Sequence, residues 1–158
     1  MKLFIGVDPG ASGAIAGIDD DCRVVQVIRL SQTEREVAEQ LGTLIGGYGT
    51  VYAFIERVGA MPKQGVSSSF KFGQSYGFLR GILTASMVPF EEVTPQKWQG
   101  VMGCRTKGDK NVTKQKAGQF WPMVKVFHWN ADALLLAEYC RMTRLVKHIG
   151  PLLPKEGE

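Results

Sequence analysis

The reading of this chain turns on its first seventeen residues, Met1-Lys-Leu-Phe-Ile-Gly-Val-Asp8-Pro-Gly-Ala-Ser-Gly-Ala-Ile-Ala-Gly17. Leu3 to Val7 are short, apolar and rich in β-branched residues, which predicts a buried strand. Asp8 stands at its exit, and Pro9-Gly10 then force a turn. Ala14 to Ile18 return as the second strand of a hairpin. A carboxylate at the end of a buried strand is costly unless a cation, a basic side chain or backbone N–H groups meet it. The ordinary alternative is a turn aspartate beside Pro-Gly, and this stretch alone leaves the two readings level.

Working outward, Arg23 to Leu30 form a third strand after the acidic turn Asp19-Asp20-Asp21, so the chain opens as an antiparallel meander. Ser31, with Glu34 three residues on, reads as a capping box. Val37, Leu41, Leu44 and Ile45 recur at helical spacing over residues 33 to 45, and Gly46-Gly47 stop the helix. Thr50 to Ile55 are apolar throughout and predict a central fourth strand. That strand ends at Glu56, a second strand-exit carboxylate, whose ordinary reading is an ion pair with Arg57 or Arg80.

An irregular loop from Arg57 to Gly65 leads to a long helix that Ser67 to Ser69 are placed to cap. It carries Gly73, Gly77 and Gly81 on one face, where the sheet or a second subunit can approach closely. Met87 to Val93 predict a fifth strand, with Pro89 pointing to an edge position or a start after the proline. Thr94-Pro95 open a short helix. Residues 112 to 120 make a basic helix, and Asn130 caps a last helix running to about Val146. Asp132 lies in its first turn, where acids are common for dipole reasons alone.

The bulk numbers narrow the classes. The chain has 158 residues, 44% hydrophobic and 22% charged, which suits one folded domain. We expect that domain to span residues 1–150, with a loose tail over 151–158. No apolar run is long enough for a membrane span, and no signal peptide is expected. Cys22, Cys104 and Cys140 follow no metal-ligand pattern and read as free thiols of a reducing compartment. The net charge is +4 and the pI about 9.0, with the basicity concentrated. Residues 95 to 116 hold Lys97, Arg105, Lys107, Lys110, Lys114 and Lys116 against one acid, Asp109. Such a stretch favours a polyanion.

A meander feeding parallel strands through crossover helices predicts an α/β fold with a five-stranded mixed sheet flanked by helices. The first and fourth strands are then parallel neighbours, and Asp8 and Glu56 lie side by side. A helix starting over the same edge adds Asp132. Three carboxylates that close need a cation. Mg²⁺, with Mn²⁺ as substitute, suits oxygen ligands. Two such ions would clamp the attacking water and leaving oxygen of a phosphodiester.

The ordered set Ile-Gly-Val-Asp8-Pro-Gly, Phe-Ile-Glu56, Lys71-Phe-Gly-Gln74-Ser-Tyr-Gly77 and Ala131-Asp132-Ala-Leu-Leu-Leu-Ala137 resembles the RuvC family. These are Holliday-junction resolvases of RNase H-like fold, and the similarity runs to about residue 145. The compact single-domain layout suggests a phage or bacterial member. The resemblance implies a homodimer that cuts a four-way junction symmetrically, in the cytoplasm of a bacterial or phage-infected cell. Asp8, Glu56 and Asp132 become metal ligands, and the glycine-bearing helix lies near the dimer interface. Met61, in the loop after Glu56, is the apolar candidate to enter the junction centre. Lys63, Arg105, Lys107, Lys110, Lys114 and Lys116 become DNA contacts.

The family has a further metal-site residue shortly before its last acid. Here that space holds His128, Trp129 and Asn130. His128 is the choice for fourth ligand or proton carrier; Asn130 coordinates weakly or only caps. No aromatic directly follows Glu56, and Phe70, which could substitute, reads as a core residue. Two other classes remain as alternatives. One is a catalytically weak or inactive junction-binding protein of the same fold. The other is a phosphotransfer fold using the Asp8-Pro-Gly turn as a phosphate loop, for which the chain lacks a second domain.

Overall fold

The structure, a computed structural model, describes residues 1–59 and 65–149, with only the backbone described for 147–149. Met61, Lys63 and the 151–158 tail lie outside the described residues.

Five strands and five helices follow in the order β1 (Lys2–Asp8), β2 (Ala14–Asp19), β3 (Val24–Arg29), α1 (Glu34–Gly46), β4 (Thr50–Glu56), α2 (Val66–Ala85), β5 (Phe90–Val93), α3 (Pro95–Met102), α4 (Asn111–Phe120) and α5 (Ala131–Ile149). The sheet order is β3-β2-β1-β4-β5. β1 pairs antiparallel with β2 and parallel with β4, and β5 is a parallel edge. The expected architecture is therefore present. β5 begins at Phe90, after Pro89, because proline cannot donate to the ladder.

Strand alternation divides the core. Leu3, Ile5 and Val7 pack with Ala53 and Ile55 against Val37, Leu41, Leu79 and Leu83 of α1 and α2. Phe4 and Phe54 face the other way, into Trp98, Ala117, Trp121 and the buried run Ala133 to Ala137 of α5. Successive side chains of a strand point to opposite faces. Asp8 and Glu56 share the even parity of Phe4 and Phe54, so both emerge on the α5 face.

α5 reaches that edge because Gly6 lets it. A Cβ on Gly6 would stand 2.1 Å from the Ala133 carbonyl oxygen and 2.3 Å from the Ala137 nitrogen. Backbone thus lies directly on backbone at mid-strand, and the first turn of α5 is carried over the end of β1. At the far side of the sheet, buried Glu138 receives Nε and Nη2 of Arg141 at 2.7 and 2.9 Å. Arg141 Nη1 donates to the Asp20 carbonyl at 3.1 Å, and the Cys22 thiol donates to Glu138 at 3.1 Å. This network fastens the β2–β3 turn to α5.

Three local expectations are corrected. The α1 cap is Thr33 with Glu36, not Ser31 with Glu34. Thr33 Oγ1 accepts from Glu36 N while Thr33 N–H donates to Glu36 Oε2, and that pair sits at the true first turn. Gly65 caps α2 without a side-chain bond, which leaves Ser67 to Ser69 inside the helix. Phe70 is 67% exposed rather than in the core. The face bearing Phe70, Gly73, Gly77 and Gly81 turns away from the sheet, and no atom lies within 4 Å of a Cβ built on any of the three glycines. Leu79 and Leu83 take the inward face instead.

Candidate active site

Asp8 is positioned by the turn that follows it. Its Oδ1 accepts the Gly10 N–H at 3.2 Å, and Gly13 N–H closes the turn onto the Gly10 carbonyl at 2.8 Å. Gly13 is required here, since a Cβ would meet the Asp8 carbonyl oxygen at 2.1 Å. Glu56 ends β4 one position beyond the Val7–Ile55 pair. Its Oε2 accepts the Trp98 indole N–H at 2.7 Å. The ordinary ion-pair reading of Glu56 fails for Arg80, which instead pairs with Glu92 at 3.1 Å. Asp132 enters from the first turn of α5, and its Oδ1 is buried without a hydrogen-bond partner.

These three acids line one cleft of about 590 Å³, together with Lys110, Lys114, Phe127, His128 and Trp129. Their ionisation is coupled. Burial, then the charge of Asp132, raise Asp8 from 3.8 to about 6, against the Gly10 N–H and Lys110, which lower it. Burial raises Glu56 from 4.5 to about 7; the Trp98 N–H opposes this, and the charges of Asp8 and Asp132 add to it. Burial also raises Asp132, while Thr113, Lys110 and His128 hold it down. The cleft therefore concentrates negative charge that water solvates poorly, and Lys110 acts on all three acids.

An all-oxygen set of three mutually repelling carboxylates, one with an orphaned buried oxygen, fits a hard divalent cation. Among the described residues no three His, Cys, Asp or Glu side chains stand grouped at ligating distance. The Glu56 carboxylate is engaged by the indole, and the Asp8 carboxylate by its own turn.

The other expected residues separate. His128 is exposed and lines the cleft beside Asp132. Asn130 does not face it as a ligand. Its Oδ1 accepts the Phe127 N–H at 2.7 Å and its Nδ2 donates to the Lys125 carbonyl at 3.3 Å, so it shapes the entry to α5. Lys110 and Lys114 stand on the cleft wall, whereas Lys116 lies over the Phe120 ring at 5.8 Å. The inward face of α4 is fixed by buried Thr113 and Ala117, which sends Lys116 elsewhere. Arg105 runs along α3, where its guanidinium blocks the space beside Gly100. Lys107 is exposed in the turn between α3 and α4, with φ 46°.

Sequence reasoning did not assign Trp98, Thr113 or Phe127 to the site, and named Trp129 only as one of three positions for the fourth metal-site residue. Trp98 carried one signal, an indole needing an acceptor on a helix that follows β5 directly. For Thr113 only the helical phase of α4 could have done so.

Neither family models nor curated protein sequences give a match to this chain. Solved structures resemble it over nearly its whole length, two of them RuvC proteins. One is described as Thermus thermophilus RuvC in complex with Holliday junction substrate, at 14% identity and TM-score 0.64, covering 92% of this chain and 96% of that one. The other is Thermus thermophilus RuvC, also at 14% identity and TM-score 0.64, covering 91% and 96%. The chain thus has an RNase H-like fold of the RuvC form.

Proposed function

We propose that the protein is a metal-dependent endonuclease that resolves four-way and other branched DNA. One observation carries this reading. Three acids from separate elements meet in one cleft, all with raised affinity for protons, beside Lys110 and Lys114. The likeness of fold to a RuvC bound to a Holliday junction supports the choice of substrate.

Asp8, Glu56 and Asp132 would hold Mg²⁺, or Mn²⁺ in its place, as a pair of ions that share the three carboxylates. When bound, the metal supplies a nucleophilic hydroxide and stabilises the leaving oxygen. Asp8 is fixed by the Gly10 N–H, so its free oxygen is aimed without rotamer search. Trp98, by hydrogen bonding to the charged form of Glu56, opposes the burial that favours its protonation. Lys110 and Lys114 neutralise the backbone phosphates flanking the cut. His128, at the solvent side of Asp132, is the group to take up or deliver a proton, or to complete the ligand set. Recognition is of junction shape, because phosphate contacts position without specifying sequence.

The exposed face of α2 bearing Phe70 and the three glycines is the surface for a second copy, which would give the paired cuts a junction needs. The protein is assigned to the cytoplasm of a bacterial or phage-infected cell on this function. Among the described residues no helix is long and apolar enough to cross a membrane.

The test is cleavage of a labelled synthetic four-way junction and a linear duplex, with Mg²⁺ or EDTA, by wild type and Asp8→Asn. Metal-dependent nicking of the junction by wild type alone is expected. Tight binding with no cut by wild type would favour the inactive junction-binding alternative, and an equally active Asp8→Asn would refute the site.

A further inference from the structure

Phe127 and Trp129 form a short ladder at the mouth of the cleft. Their rings are 6.0 Å apart and inclined by only 16°. The Arg29 guanidinium, from the end of β3, lies 5.1 Å from the Trp129 ring centre. The Lys125 ammonium lies 5.4 Å from that of Phe127. Each ring thus carries one cation, and both rings line the cleft that holds the three acids.

Phe127 is the open end of this ladder. Its side chain is 38% exposed, although an apolar ring gains by burial. Its backbone is nonetheless fixed on both sides. The Phe127 N–H donates to Asn130 Oδ1 at 2.7 Å, and its carbonyl accepts the Ala131 N–H at 3.1 Å. The backbone that carries the ring is therefore held at an exposed place, with Trp129 stacked beside the ring and Arg29 over Trp129. Rigid presentation lowers the ordering cost of binding.

We infer that Phe127 is the stacking platform for an unpaired nucleobase next to the phosphate to be cut. This rests on the nuclease reading above and names how that site would select its substrate. Base faces are hidden inside a duplex but become available where strands part, and aromatic rings take them up with little regard for sequence. Lys125, an exposed cation over the Phe127 ring, would yield its place to the base and move to the nucleotide's phosphate. Trp129 and Arg29 would stay in place as the backing. Arg29 thereby links β3 to the site, a strand that contributes no acid.

The experiment uses the full chain in EDTA, binding four-way junctions that carry one abasic site moved through the crossover nucleotides. Phe127→Ala and Phe127→Leu are compared with wild type and with Phe127→Trp; the leucine retains apolar bulk without a π-face. On the intact junction both truncations should weaken binding by about five- to one-hundredfold, and Phe127→Trp should retain it. On the junction lacking the stacked base the truncations should have no further effect. Trp129 emission should change on binding only where that base is present, Trp98 and Trp121 being buried. Equal losses by the truncations at every abasic position, or no loss on the intact junction while wild type binds it, would overturn the inference. Absence of any DNA binding by wild type would instead overturn the nuclease reading, and the platform with it.

Discussion

Replacing Asp8 by asparagine should make the metal-free protein more stable at pH 8 while removing its cleavage. Asp8 is raised from 3.8 to about 6 in the folded chain. A raised carboxylate binds its proton more tightly when folded. Its stabilising contribution is therefore complete below the unfolded value near 3.8 and is lost as pH rises through about 6. At pH 8 the ionised group then costs the folded state about 3 kcal/mol. Asp8 keeps partial solvent contact, so this figure is an upper bound. Asparagine keeps the shape and the acceptor for the Gly10 N–H but carries no charge. In EDTA at pH 8 the variant should gain about 1–3 kcal/mol, read as roughly 2–10 °C in Tm for a chain of this size. At pH 4 the gain should shrink to within about 0.5 kcal/mol, the ordinary range of a neutral substitution. Added Mg²⁺ should raise the wild type by mass action and the variant much less. Urea or thermal unfolding at both pH values, with and without Mg²⁺, decides it. A variant no more stable than wild type at pH 8, or a gain undiminished at pH 4, would refute the argument that repulsion and burial of charge dominate this cleft.

Trp98→Phe removes the indole N–H bonded to Glu56; since that bond opposes the burial that has already raised Glu56 to about 7, its loss should move the acidic limb of the cleavage–pH profile to higher pH, and an unshifted profile would count against it. Arg141→Ala removes the guanidinium partner of Glu138, whose side chain is 3% exposed, and leaves it the Cys22 thiol as a hydrogen-bond donor; stability in urea should fall by about 3–5 kcal/mol, whereas a loss under about 1 kcal/mol would mean the network relaxes freely. Lys110→Ala and Lys114→Ala should each lower the slope of log affinity against log salt for junction DNA by about 1, while Lys116→Ala, whose ammonium rests on Phe120, should leave it unchanged.

The path of the chain was legible because its signals are local. The apolar run Leu3 to Val7, the Pro9-Gly10 turn and the Thr94-Pro95 helix start each act within a few residues, and each stands where expected. The α1 cap was misplaced by two residues because Ser31-x-x-Glu34 and Thr33-x-x-Glu36 fit the same pattern. Only the packing of Val37 and Leu41 chooses between them. The basic stretch was legible as a whole but not lysine by lysine, since helical phase relative to buried Thr113 and Ala117 decides which ones reach the cleft.

By itself, then, the sequence determined two strand-exit acids, a first-turn acid on the last helix and the order of elements that makes β1 and β4 parallel neighbours. Strand parity and register carry those properties, and both are written residue by residue. The tertiary structure alone decided the contact of Trp98 with Glu56, the orphaned oxygen of Asp132 and the ladder from Arg29 to Lys125. Each joins residues far apart in the chain, or sets a side-chain direction by what packs behind it. The close seating of α5 on Gly6 is the physical reason Asp132 arrives at the end of β1 at all.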